Sequence, residues 1–274
     1  MPVNSRISLV VSDVDGTLIT KEKKLTAKTI AAVARLQKAG IAFALISGRP
    51  PVGMRMISEP LGVRTPIYGF NGGLATSPDF RQIIAARYLE RQIVGAAIGE
   101  LDRSGLDVWL YTDENWLVRD RQAPHVTREA ETVRMEPKEM AAFPEQVLDA
   151  VIKIVGVSDR PDVVKRAHAA VCQKVGHAVV AACSQPYYLD ITSKMANKGQ
   201  AVSLLAEHLG VANEEIVTIG DMPTDVPMFE NSGISIAMGN AAVEVQSKAH
   251  YTTDDNDNDG FARAIDRFVL GMRS

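Results

Sequence analysis

The stretch Ile7-Ser8-Leu9-Val10-Val11-Ser12-Asp13-Val14-Asp15-Gly16-Thr17 decides how this 274-residue chain folds. Its first five residues are apolar except Ser8 and rich in β-branching, as expected of a strand buried on both faces, and an Asp-Gly turn closes it. Two carboxylates two positions apart at the carboxyl end of a strand sit where open α/β sheets bind ligands. Like charges this close are costly unless a cation or a proton separates them.

Outward from this strand, Thr26 is placed to cap a helix over 27–38, with Ile30, Val33, Ala34 and Leu36 apolar and Gly40 as the stop. Residues 41–46 read as a second buried strand. The alternation returns near the C-terminus, with helices over 199–209, 226–231 and 241–249 and strands over 215–220 and 234–238. Such crossovers imply an α/β fold built on a doubly wound, Rossmann-like parallel sheet. The middle differs. Residues 107–112 and 116–119 form a hairpin, and 151–157 and 178–183 are strands separated by a helix. The expected organisation is a discontinuous core domain, 1–81 and 190–274, with an α+β domain inserted at 82–189.

A second strand end, 216–219, runs into Gly220-Asp221-Met222-Pro223-Thr224-Asp225. In a parallel sheet all such ends share one edge, so Asp13, Asp15, Asp221 and Asp225 are expected to converge into an all-oxygen site suited to Mg²⁺. Ser47 closes its strand at the same edge. Lys198, in Asn197-Lys198-Gly199 at a helix start, adds a cation where backbone N–H groups favour an anion. Four carboxylates, a hydroxyl and a lysine make a phosphoryl-transfer site.

Composition narrows the function further. Thirty Lys and Arg against 33 Asp and Glu leave a net charge of -3, which gives no field for nucleic acid or an anionic membrane. Cys172 and Cys183, outside any C-x-x-C pattern, read as small buried hydrophobes of a reducing compartment. No apolar run approaches the roughly 18 residues of a membrane span, and the N-terminal pattern is not that of a signal peptide. The expectation is a soluble cytoplasmic protein, monomer or homodimer. Residues 255–260 spell most of an EF-hand loop, but position twelve is Asp266 and a strand-like stretch precedes it, so a polar loop leading into a helix over 261–270 is expected. The run Lys21-Glu22-Lys23-Lys24 reads as a solvated flap or helix approach rather than a nucleic-acid patch, and is given no role. The five histidines show no metal-ligand spacing.

The motifs Asp13-Val14-Asp15-Gly16-Thr17, Ile46-Ser47-Gly48-Arg49-Pro50, Asn197-Lys198-Gly199 and Gly220-Asp221-Met222-Pro223-Thr224-Asp225 occur in an order that resembles the haloacid dehalogenase (HAD) superfamily, in particular its Cof-type, subfamily IIB sugar-phosphatase group. The insertion between the second and third motifs falls where that group carries its cap, and Asn71-Gly72-Gly73 looks like its Asn-Gly element. The resemblance implies a Mg²⁺-dependent phosphatase of small phosphorylated metabolites. In that reading Asp13 is the nucleophile and Asp15 the general acid and base, while Ser47 and Lys198 bind the phosphoryl group. Mg²⁺ is held by Asp13, the backbone carbonyl of Asp15 and Asp221, with Asp225 in the outer shell. Gly48, Arg49, Asn71, Gly72 and Thr224 complete the substrate-binding set, Thr224 standing where the group has Asn. In the cap, Tyr187 and Tyr188 are expected to alternate on a strand, one ring toward the cleft and one into packing. A phosphosugar mutase and a non-catalytic phospho-ligand binder are the alternatives on the same fold.

Overall fold

The central strand is β1 (Leu9–Ser12), with every residue buried. It pairs in parallel on both sides, Leu9 lying opposite both Ile216 and Ala42. A strand flanked in this way has no wet face, which is why its run is apolar throughout. The computed structural model describes residues 6–272; the outermost ends of the expected core domain, 1–5 and 273–274, lie outside the described residues. In chain order the strands continue as β2 (Ala42–Ile46), β3 (Ile67–Gly69), β4 (Leu74–Thr76), β5 (Ile83–Ala86), β6 (Asp107–Thr112), β7 (Trp116–Val118), β8 (Pro137–Glu139), β9 (Val151–Val157), β10 (Val179–Gln185), β11 (Tyr188–Ser193), β12 (Ile216–Gly220), β13 (Ile234–Ala237) and β14 (Tyr251–Thr252).

The first sheet has the order β14-β13-β12-β1-β2-β3-β4-β5. It is parallel from β14 to β3 and turns antiparallel at β4. The chain leaves β1 toward β2 and β3, and later returns on the other side through β12 and β13. The strand order therefore reverses between β1 and β12, and the crevice outside the carboxyl ends there is where doubly wound sheets hold ligands. Asp13 and Asp221 are the first residues past those two ends.

The flanking helices follow from local signals. Thr26 Oγ1 accepts from Thr29 N–H at 3.1 Å and starts the helix Ala27–Lys38. That helix buries Thr29, Ala32, Val33 and Leu36, a spacing of three and four that lays one stripe on the sheet. Asn197 accepts from Gln200 N–H at 2.9 Å and starts the helix Lys198–Leu209, which Gly210 ends at φ +65°. Three expected helices are shorter: Val226–Phe229 replaces 226–231, Val243–Gln246 replaces 241–249, and the last runs Gly260–Ala264 before widening over Ile265–Val269.

The chain divides into two units, 1–82 with 197–274, and 83–196. The second boundary falls at 196/197 rather than at 189/190. The reason is β11, which pairs antiparallel with both β9 and β10 and keeps residues 188–193 in the insertion. The insertion's sheet has the order β10-β11-β9-β6-β7-β8. One face, with Val108, Leu110, Ile154, Leu189 and Ile191, belongs to the same buried cluster as Val94, Ala97 and Leu101 of the helix Arg91–Arg103 and Val164, Ala167 and Val171 of the helix Pro161–Val175. On alternate positions, Trp109 meets Trp116 edge-on at 5.2 Å and Tyr188 at 5.3 Å, and Tyr111 stacks on Trp116 at 5.6 Å. Tyr188 is buried as expected of one of the pair. Tyr187 does not point to an opposite face: it lies in the β10–β11 turn, its ring 4.6 Å from that of Tyr188 and stacked on His125 at 4.3 Å. Both cysteines are exposed rather than buried, because their places on the helix Pro161–Val175 and on β10 face outward.

Candidate active site

At the reversal point the carboxylates of Asp13, Asp221 and Asp225 bring oxygens within 4.8 Å of one another, all three residues being buried. Lys198, only 3% exposed, donates from Nζ to Asp13 Oδ1 and Asp225 Oδ1, both at 2.5 Å. One ammonium against three carboxylates leaves a net negative charge in a region shielded from water. Burial, opposed by Lys198 and reinforced by Asp225 and Asp221, drives the Asp13 carboxyl well above its ordinary range. Burial likewise pushes Asp221 up to about 6. Lys198 is held above its ordinary range because Asp13 and Asp225 outweigh the cost of burying it. A surplus of buried, oxygen-bearing negative charge fits a hard divalent cation such as Mg²⁺.

Two glycines make this packing possible. A Cβ on Gly220 would lie 2.5 Å from Asp225 Cβ, so only glycine lets Asp225 fold back beneath the strand end. There its Oδ2 accepts from the backbone N–H groups of Asp221 and Met222, both at 2.8 Å. Gly16 has φ +82°, and a Cβ there would meet Asp221 Oδ2 at 2.3 Å. The turn it allows brings Thr17 Oγ1 to donate to Asp221 Oδ1 at 2.8 Å.

The fourth expected carboxylate does not join this group. Asp15 turns its carboxylate instead to Arg49, whose Nε and Nη2 donate to Oδ2 and Oδ1 at 2.6 and 2.8 Å, and to Lys23 Nζ at 2.7 Å. Burial alone would raise its pKa, but the two cations prevail and hold it at about 2. A fork-shaped guanidinium matches a carboxylate better than a distant cluster of like charges does. Lys23, read from the sequence as part of a solvated flap without a role, thus belongs to the site. It sits at φ +61° in a turn closed by Thr20 N–H to Lys24 O at 3.0 Å and Lys23 N–H to Thr20 O at 2.9 Å. Periodicity gave no hint of it, since its partner is set by the turn.

The remaining expected residues lie on the same sheet edge or beside it. Ser47 is buried, and its Oγ accepts from Arg49 N–H at 3.2 Å. Asn71 takes a left-handed φ of +57°, and its side chain lies beside Gly48. Gly72 packs against the carbonyl of Asn197, where a Cβ would come within 2.9 Å. Thr224 is exposed and its hydroxyl has no hydrogen-bond partner among the described residues. Residues 255–260 form no EF-hand: Asp255 accepts from the N–H groups of Asp257 and Asn258 in a one-turn loop.

This chain resembles known proteins over nearly its whole length. A haloacid dehalogenase-like hydrolase of Bacteroides thetaiotaomicron has a solved structure with a TM-score of 0.86 to this chain at 28% identity, covering 96% of this chain and 99% of that one. The Bacillus subtilis (strain 168) 5-amino-6-(5-phospho-D-ribitylamino)uracil phosphatase YwtE is 28% identical over 289 residues, 96% of this chain and 98% of that protein. The Escherichia coli (strain K12) pyridoxal phosphate phosphatase YbhA is 26% identical over 268 residues, 94% and 97% of the two chains. No helix among the described residues is long and apolar enough to cross a membrane. The haloacid dehalogenase-like hydrolase family is matched over residues 10–265, from β1 to the final helix, and the chain belongs to that family, in its Cof-type group.

Proposed function

We propose that the protein is a Mg²⁺-dependent phosphatase of small phosphate monoesters, sugar phosphates or phosphorylated cofactors, working through an aspartyl-phosphate intermediate. The observation that carries this is the buried trio Asp13, Asp221 and Asp225 with the single cation Lys198 among them. The phosphatase names of relatives that align over nearly their whole length support the substrate class.

Asp13, Asp221 and the carbonyl of Asp15 would hold the cation, which when bound neutralises the clustered charge and favours the charge that spreads over a transferring phosphoryl group. Asp13 attacks phosphorus, which requires its carboxylate to be ionised; Lys198, bonded to it in the resting site, keeps that form accessible. Asp225 stands in the outer shell of the cation, its Oδ2 filled by the N–H groups of Asp221 and Met222 and its Oδ1 turned to Lys198. It orients Lys198 and the strand end. Ser47 and Lys198 donate to phosphoryl oxygens. Asp15 gives a proton to the leaving alcohol and then takes one from water, one group serving both half-steps. In the resting geometry Asp15 is ionised and clasped by Arg49 and Lys23, so the first half-step requires that clasp to loosen as the substrate enters and Asp15 to take up a proton from solvent, which it then passes to the leaving alcohol. The insertion, 83–196, selects the leaving group, because Asp13 and Lys198 meet only the phosphoryl group that every candidate substrate shares.

Phosphate release from a panel of phosphosugars and phosphorylated cofactors, with and without Mg²⁺, tests the reading. Hydrolysis that depends on Mg²⁺ is expected, and Asp13→Asn should abolish both turnover and trapping of a beryllofluoride adduct. Near wild-type turnover by Asp13→Asn would overturn the mechanism, and transfer between sugars without release would favour the mutase.

A further inference from the structure

Asn240 follows β13 at the sheet edge and belongs to none of the motifs read above. Its Nδ2 donates to Gly16 O at 2.9 Å and to Asp221 Oδ2 at 3.3 Å, and its Oδ1 accepts from Asn256 N–H at 3.1 Å. Both neighbours of Nδ2 are acceptors and the neighbour of Oδ1 is a donor, so chemistry allows only one orientation of this amide. The residue is largely exposed, so packing does not account for its place.

Its backbone is fixed on both sides. Gly239 N–H donates to Asp254 O at 3.1 Å, and Gln246 Nε2 donates to the carbonyls of Gly239 and Ala241 at 3.2 and 2.9 Å. Asn256 is only 6% exposed, and its Nδ2 donates to Ile19 O at 2.8 Å. One short polar loop therefore grips the turn that leaves Asp15 at Ile19 and, through Asn240, at Gly16.

With Thr17 on Oδ1 and Asn240 on Oδ2, each oxygen of Asp221 accepts one protein hydrogen bond and keeps a lone pair for a cation. We propose that Asn240 is a positioning residue that aims Asp221 and the 15–17 turn at the cation, and that Asn256 is its mount. The proposal rests on the reading of Asp221 as a cation ligand. Groups that orient metal ligands through hydrogen bonds typically cost 10–100-fold in metal affinity when removed, about what is expected here.

Isothermal titration of the metal-free protein with MgCl₂ tests it, on the wild type, Asn240→Ala, Asn256→Ala and the double variant, with thermal melting in the absence of Mg²⁺ alongside. Asn240→Ala should raise the Mg²⁺ Kd about tenfold or more while moving the metal-free melting temperature by no more than about 2 °C, as for an exposed substitution. Asn256→Ala should weaken Mg²⁺ in the same direction. The double variant should lose less than the sum of the two single losses, because the Asn256 side chain on Ile19 O and Asn240 on Gly16 O hold the same turn. A Kd for Asn240→Ala within twofold of wild type would overturn the proposal while leaving the cation site standing, and fully additive losses would remove Asn256 from it. A wild-type chain that takes up no Mg²⁺ would overturn both the proposal and the reading beneath it.

Discussion

Asp15 lies three residues past the end of β1 and Asp221 one residue past the end of β12, yet their carboxyls are displaced in opposite directions. For Asp221, raised to about 6, the contribution to stability is full below the ordinary 3.8 and is lost as pH rises through about 6. Asp15 has the opposite sign: its contribution is full above 3.8 and is lost as pH falls through about 2. Mg²⁺ competes with the proton on Asp221, so the rise in melting temperature on adding Mg²⁺ should be small at pH 5 and grow through pH 7. Melting curves with and without the ion check this, and a gain that is flat across that range would contradict it. Removing a cation from Asp15 should raise its pKa. Lys23→Ala is thus expected to move to higher pH the limb on which kcat/KM falls as Asp15 loses its proton, whereas Lys23→Arg, which keeps the charge, should restore it; an unmoved limb in Lys23→Ala would mean that Arg49 alone sets the group.

At the scale of elements, a cap and a glycine carry separate consequences. Thr26→Ala deletes the N-cap of the helix Ala27–Lys38 and should cost about 1 kcal/mol by denaturant titration, with no change in Mg²⁺ affinity. Gly220→Ala drives a methyl into Asp225 and should cost about 1–3 kcal/mol from overpacking. Because it also displaces the partner of Lys198, it should lower turnover as well as stability; a stable, fully active variant would show that the β12 end yields freely. These elements were legible before any coordinates. Buried parallel strands announce themselves as unbroken apolar runs, and Thr26 and Asn197 stand immediately before the helices they start. What escaped reading was held by tertiary partners. β11 was read as strand only at its start, Tyr188; with Asp190 and Thr192 in its middle, its run to Ser193 comes from pairing with β9 and β10. Asp15 was placed with the other carboxylates because sequence shows the shared edge but not the direction of a side chain. Lys23 and Asn240 lie in turns whose partners are remote in sequence, although Asn240, just past a third strand end, sat at the edge already known to matter.

Across the whole molecule, two units own separate buried cores; the unit of 1–82 with 197–274 contains every proposed cation ligand, and the unit 83–196 contains both tryptophans, Trp109 and Trp116. Tryptophan fluorescence therefore reports on the insertion. On heating, Mg²⁺ should delay the loss of far-ultraviolet circular dichroism while leaving the tryptophan transition near its metal-free temperature. If both probes shifted equally, the two units would have to unfold as one. The parallel pairing of Leu9 with Ile216 carries a further consequence for how the protein comes into being. At about 5–20 residues per second, a ribosome delivers Asp221 some ten to forty seconds after Asp13. During that interval β1 has one side without its neighbour, and Asp13 has neither Lys198 nor Asp221 beside it. On the reading proposed above, turnover must wait until the last third of the chain has brought β12 to β1.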